Sequence, residues 1–301
     1  MSDGVRPTLP ELIALRGVAQ GRRGPRKGRH GVSGRAPSPL RGRGMEYAES
    51  REYALGDDAR HVDWKLTARS GQLHTKLFQA ERERLTLVVA DTAPGLYFGT
   101  RTRFKSVQAA RAGAIAAWTA IRDGDRVAAL RGSDQEPPVP PAAGPRGALR
   151  VLDALVRWYG ARPGDDEGLA FALDHAQRLL RPGSRLLVLA DPASIADVPD
   201  SRWPALGMHH EVVVLLLTDA LETAPPRMAL PFAGGAGDGA PHRVDLDLAS
   251  APQRQRWREA FVAPVEAALA ELPARGVRVQ ALPTDAASDA WLPLFSAPRA
   301  A

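Results

Sequence analysis

The chain has 301 residues, 44% of them hydrophobic, and no cysteine. That is enough apolar material for one large α/β domain or two small ones, and it excludes disulfides and thiolate metal sites. The net charge of +6 sits early, since Arg16 to Arg43 carries nine Arg or Lys and no acid.

Residues 1–40 read as a basic, Gly/Pro/Arg-rich N-terminal arm. Its first part holds a short helix, Leu9 to Leu15, with Pro10 near the start where its missing N–H costs nothing; residues 21–44 are too rich in Gly, Pro and Arg for regular structure. An arm of this kind can bind nucleic acid through phosphate contacts, but no aromatic residues interleave the arginines for base stacking. With only four lysines in the chain, the arginines also fit a compositional habit, so a nucleic-acid binder stands as a minor alternative.

The segment 41–84 is dense in charge of both signs, yet Tyr47, Tyr53, Val62, Trp64 and Phe78 recur through it. That pattern predicts an ionic network over an apolar floor. Gly56, Asp57 and Asp58 form a turn that starts a helix. Val62 with Leu66, and Trp64 with Ala68, then share helical faces, and Gly71 closes the helix. Leu73 to Gln79 alternates as a strand and is expected to pair with Leu85 to Ala90. Arg51, Arg60 and Arg69 stand among Glu49, Glu52, Asp57, Asp58 and Asp63, suited to bidentate carboxylate pairing.

From 85 to 301 the pattern alternates. Leu85 to Ala90 is an apolar run ending in Asp91, the mark of a buried parallel strand. A loop follows, then Val107, Ala110, Ala114, Trp118 and Ile121 at helical spacing, then a strand from Arg126 to Arg131. Together these make a right-handed βαβ unit. Glu136 to Ala142 is proline-rich, hence an edge strand or loop. Helices are expected over Leu149–Tyr159 and Leu169–Leu180, and strands over Leu186–Ala190, ending at Asp191, and Glu211–Leu217. A Met228–Leu248 hairpin, a helix from Trp257 to Leu272 bent at Pro264, and a last strand, Val277–Leu282, complete the chain. The alternation predicts a doubly wound, mostly parallel sheet with helices on both faces.

The run from Gly42 to Glu83 resembles the signature of the Domain of Unknown Function 58 family. The Gly42–Gly44 lead, Glu46 and Tyr47, Arg51 to Tyr53, Gly56 to Arg60, Asp63 and Trp64, Ala68 and Arg69, and the Glu81–Glu83 exit carry the likeness. The resemblance implies a von Willebrand factor A-like α/β fold with an N-terminal signature segment. It implies a member often encoded beside a MoxR-type AAA+ ATPase, acting with that ATPase and with other von Willebrand A-type proteins in assembly or chaperone-type roles. It marks Arg51, Tyr53, Asp57, Asp58, Arg60, Asp63, Trp64 and Arg69 as the signature network. Many relatives carry transmembrane helices ahead of the signature. Here the longest apolar runs fall far short of a bilayer span, so the chain reads as a short, cytoplasmic form.

In open α/β sheets ligands bind beyond the carboxyl ends of the strands, where Asp91 and Asp191 fall. By resemblance, that edge carries a metal-ion-dependent adhesion site with an Asp-x-Ser-x-Ser loop and Mg²⁺ held by hard oxygens. This chain reads Asp91-Thr92-Ala93-Pro94-Gly95, without either serine, and Glu167 stands where a threonine is expected. Asp91, Glu167 and Asp191 are therefore a degenerate metal site, and a Mg²⁺-dependent adhesion module is an alternative function. His61 and His74 flank Asp63 but match no nucleophile elbow, His209-His210 reads as a loop pair without a third ligand, and no nucleotide-binding motif follows a strand. The expectation is a non-enzymatic protein-interaction domain with no required cofactor.

Overall fold

The computed structural model describes residues 4–21, 45–80, 84–234 and 242–296. The chain divides into two compact units, residues 1–27 with 85–301, and residues 28–84. The basic run at 22–44 lies outside the described residues.

Of the expected 1–40 arm, the structure describes residues 4–21. Helices α1 (Leu9–Ala14) and α2 (Arg16–Gly21) belong to the larger unit. The reason is apolar: Leu12, Leu15 and Ala19 are buried, and the Trp118 indole N–H donates to Leu12 O at 3.1 Å.

In the smaller unit, β1 (Met45–Glu52) pairs antiparallel with β2 (His74–Ala80) across a bulge between Tyr47 and Glu49. This corrects the expected pairing of Leu73–Gln79 with Leu85–Ala90. The single predicted helix is also two elements. Asp58 caps a 3₁₀ turn, Ala59–His61, by accepting from Arg60 N, and Asp63 then caps α3 (Trp64–Ser70) by accepting from Leu66 N. An Asp at an N-cap holds an extended backbone and so interrupts a helix at its own position. Between the caps Val62 is buried and bridges Thr75. Gly71, at φ 74°, closes α3 as expected.

The larger unit is built on a six-stranded sheet with the order β10-β7-β6-β3-β4-β5. Its strands are β3 (Leu85–Ala90), β4 (Arg126–Arg131), β5 (Val139–Ala142), β6 (Arg185–Ala190), β7 (Glu211–Thr218) and β10 (Arg278–Pro283). All neighbours are parallel except β4 and β5, and the proline-rich β5 forms the short antiparallel edge that its missing donors require. A separate hairpin pairs β8 (Ala229–Gly234) with β9 (His242–Asp247), within the expected Met228–Leu248 bounds.

Strand residues alternate between two cores. Val88, Leu187, Leu189, Val213, Leu215 and Leu217 face one, and Leu87, Val89, Leu186, Val188, Val212 and Val214 the other. The first core is covered by α4 (Lys105–Arg122) and α5 (Gly144–Gly160), with α1, α2 and, after β10, α11 (Leu292–Ser296). α4 is rich in alanine because it is enclosed. At Gly113 an added Cβ would lie 2.8 Å from Leu155 Cδ1, so any larger residue there would push the Leu155 side chain aside. The second core is covered by α6 (Gly168–Leu179), α7 (Arg202–His209) and α10 (Ala263–Glu271). Helix α7 was not expected. It ends at His209, and His210 is its buried C-cap rather than a loop residue. A one-turn helix, α8 (Ala220–Thr223), follows β7.

The bend predicted at Pro264 takes the form of a π-helical segment, Arg258–Val262, between α9 (Ala251–Trp257) and α10. Proline cannot donate within the helix. The backbone shifts instead to a wider turn, with Ala263 N–H reaching Arg258 O.

Candidate functional site

Three strands of the parallel sheet end in aspartate, and the three aspartates do the same local work. Asp91 Oδ1 accepts from Ala93 N at 3.0 Å, Asp191 Oδ1 from Ala193 N at 3.0 Å, and Asp219 Oδ1 from Leu221 N at 3.0 Å. Each is an Asx turn that reverses the chain at a strand's carboxyl end. All three are buried.

The turns are joined sideways. Asp191 N donates to Asp91 Oδ2 at 2.8 Å, tying the β6 exit to the β3 exit. Asp219 accepts from Thr100 Oγ1 at 2.5 Å, from Thr100 N at 3.1 Å and from Thr284 Oγ1 at 2.7 Å, which ties β7 to the loop before α4 and to the end of β10. Burial pushes the Asp219 carboxyl up, but these hydrogen bonds hold its pKa below the ordinary value. Asp91 has less to offset burial, and its pKa is pushed up to about 6.

At the centre lies Lys105, the first residue of α4. Its Nζ is 2.8 Å from Asp191 Oδ2 and 2.6 Å from Glu222 Oε1. Burial works against its charge, yet Asp191 and Glu222 hold its pKa above that of an ordinary lysine. Glu222 is fixed on its other oxygen by Asp219 N at 2.9 Å, closing a capping box on α8. Gly95 lies against the Asp191 carboxylate so closely that an added Cβ would sit 2.5 Å from Oδ2. Above the cluster opens a pocket of about 300 Å³, lined by small residues such as Ala93, Gly95 and Ala193, by Lys105 and the exposed Asp197, and by Phe261 of the π segment. Phe261 is backed by Trp257 at 4.5 Å between ring centroids, and the Trp257 indole donates to Glu222 O at 2.9 Å.

Of the residues singled out in the sequence as a metal site, Asp91 and Asp191 are brought together and Glu167 is not. Its loop is fastened to the end of β4 instead: Arg131 holds both Asp165 oxygens at 2.7 Å, and Gly168 N bonds Asp166 Oδ1. This leaves Glu167 exposed at the start of α6. Among the described residues no three metal-ligating side chains gather as a candidate site. Lys105, Asp219 and Glu222 were missed. A third Asp directly after an apolar strand was legible as a repeat of the Asp91 and Asp191 pattern; Lys105 was marked only by being one of four lysines.

The signature network in the smaller unit is real in part. Arg51 pairs with Asp57 at 2.7 Å, Tyr53 Oη donates to Asp57 O at 2.8 Å, and Ser50 Oγ donates to Asp63 Oδ2 at 2.9 Å. The cap from Leu66 and the bond from Ser50 hold the Asp63 carboxyl below its ordinary pKa. Arg60 and Arg69 are exposed, and Trp64 is 69% exposed. Of the apolar floor expected beneath the charges, Val62 is buried, with the polar Thr75 buried beside it; the side chains of Tyr47 and Phe78 lie outside the described residues.

A mostly parallel sheet of this order with one short antiparallel edge and helices on both faces defines a von Willebrand factor A-like α/β domain. Within that class, the model for the family described as Protein of unknown function DUF58 matches residues 49–264, and the chain belongs to that family. The uncharacterized protein Rv1480 of Mycobacterium tuberculosis (strain ATCC 25618 / H37Rv) is 28% identical over 213 residues, 69% of this chain and 66% of that protein. The uncharacterized protein Mb1516 of Mycobacterium bovis (strain ATCC BAA-935 / AF2122/97) matches to the same extent, so the chain spans 66% of the length of these relatives. The crystal structure of the conserved hypothetical protein BatB from Bacteroides thetaiotaomicron aligns with a TM-score of 0.44 at 13% identity, over 71% of this chain and 97% of that one. Among the described residues no helix is long and apolar enough to cross a membrane.

Proposed function

We propose that the chain is a non-enzymatic docking module that works with a MoxR-type AAA+ ATPase, and that the strand-end rim of the larger unit is its docking edge. What supports this is the closure of the rim. Asp91, Asp191, Asp219 and Glu222 each have both carboxylate oxygens engaged by loop N–H groups, by threonine hydroxyls or by Lys105. A general base has to be within reach of a substrate proton and free to take it, whereas oxygens held in this way position loops. The Lys105 ammonium also stands on Asp191, which the sequence offered as a cation ligand, so the metal-dependent alternative draws no support from this geometry.

The test is calorimetry between the purified full chain and a purified MoxR-type ATPase from the same organism, in the presence of ATP and of ADP. The reading expects saturable binding, weakened about tenfold or more by Asp197→Lys at the pocket mouth, with the melting temperature of the variant unchanged. Heat-silent mixing in both nucleotides, with no complex by sedimentation, would sink it.

A further inference from the structure

Asp191 follows the end of β6 and Glu222 stands in α8, just past β7, and their side chains are only 10% and 6% exposed. Two carboxylates this dry stay ionised side by side only with a cation between them. The position of that cation is unusual. Lys105 opens an 18-residue helix, the end at which the backbone dipole disfavours positive charge. A lysine placed against its local preference is held there by its partners. Both partners are fixed by their second oxygens, Asp191 by Ala193 N and Glu222 by Asp219 N. The bare Cα of Gly95 leaves the Asp191 carboxylate the room to turn toward the amine.

We infer that Lys105 is the tethered cation of the rim: its ammonium takes the place a free ion would otherwise fill between Asp191 and Glu222, and truncating its side chain converts that place into a binding site for a small organic ammonium ion. Lys105, Asp191 and Glu222 all line the 300 Å³ pocket, so such an ion has a way in. A rim assembled by a covalently attached cation holds its shape whatever the concentration of metal or chelator. This matters for docking only if the proposed function is right, but the inference is tested without any partner, so either can fail alone.

The experiment is chemical rescue in the full chain. Lys105→Ala keeps Cβ and removes the equivalent of n-propylammonium. Thermal melts are recorded for wild type and Lys105→Ala with n-propylammonium chloride, and with 1-propanol and sodium chloride as neutral and ionic-strength controls. The variant is expected to melt lower than wild type and to be raised in a saturable, concentration-dependent way by n-propylammonium. The controls should leave it unmoved, and wild type should not respond. A variant that melts with wild type, or that responds to n-propylammonium no more than to 1-propanol, overturns the inference. A second pair guards against a variant that does not fold. Lys105→Met/Glu222→Gln, which removes one carboxylate along with the amine, is expected to be more stable or better folded than Lys105→Met alone; a double variant no better than the single also overturns it.

Discussion

Asp91 is 1% exposed, and burial pushes its pKa from 3.8 to about 6. The folded chain therefore holds this proton more tightly than the unfolded chain does. The group's contribution to stability is fully present below pH 3.8 and is lost as pH rises through about 6. At ~1.4 kcal/mol per pKa unit, the shift corresponds to about 3 kcal/mol in total, of which about 2 kcal/mol falls between roughly pH 4.5 and 7.5. The perturbation is Asp91→Asn, which keeps the shape and removes the titration. Its amide nitrogen cannot accept from either Asp191 N or Ala193 N, and that costs about 1–3 kcal/mol, but the penalty is the same at every pH. The carboxyls held low, such as Asp63, Asp165, Glu136 and Asp219, act with the opposite sign as pH falls through their ordinary values of 3.8 for Asp and 4.5 for Glu; they are common to both proteins and cancel in the difference. Urea unfolding of both proteins across this range should show wild type losing about 2 kcal/mol relative to Asp91→Asn as pH rises. Parallel profiles, or a wild type that gains on the variant, would refute the claim that Asp91 is carried in the fold at the expense of its charge.

Other substitutions probe the same rim and the smaller unit. Gly95→Ala places a methyl 2.5 Å from Asp191 Oδ2; the carboxylate must move off Lys105, at a cost of about 1–3 kcal/mol read as a lower melting temperature. Thr284→Val removes the buried donor 2.7 Å from Asp219 Oδ2 and is expected to cost about 1–3 kcal/mol in chemical denaturation. Asp63→Ala removes the cap of α3 and the partner of Ser50, so limited proteolysis should cut residues 45–80 faster, while Arg60→Ala, an exposed side chain, should leave the cleavage rate unchanged. Equal rates for the two would show that the capped turn does not hold that unit together.

The sheet was legible because its strands are buried on both faces. Leu85–Ala90, Leu186–Ala190 and Glu211–Leu217 read as short apolar runs ended by polar turns, and the helices between them forced parallel pairing. Strand β1 was not legible. Met45–Glu52 carries Glu46, Glu49, Arg51 and Glu52, and a bulge breaks its register, so neither apolarity nor alternation marks it. Its absence left β2 without a partner, and sequence proximity supplied β3 as the wrong one. In the fold both sides of β3 are taken, by β4 and by β6. The Asp91–Asp191 link followed from the general placement of ligand sites at strand ends, whereas the bonds from Lys105 to Asp191 and Glu222 span 86 and 117 residues and leave no local trace.

On the proposed reading, the rim is a surface made ready for recognition. Association is weakened by whatever it must immobilise, above all long side chains and loose loops. Here the loops after β3, β6 and β7 are pinned by their own aspartates and to one another before any partner arrives. The pocket wall adds little to order, since Ala93, Gly95 and Ala193 have no rotamers to lose and Phe261 already packs against Trp257, the rings tilted by 45°. The π segment gives that wall its position: the wider turn forced ahead of Pro264 carries Ala260 and Phe261 into the pocket lining, beside the carboxylates that Lys105 neutralises. The Asp91–Asp191–Lys105–Glu222–Asp219 chain of bonds runs from one side of the rim to the other, so on the proposed reading a partner meets a surface that is already in place.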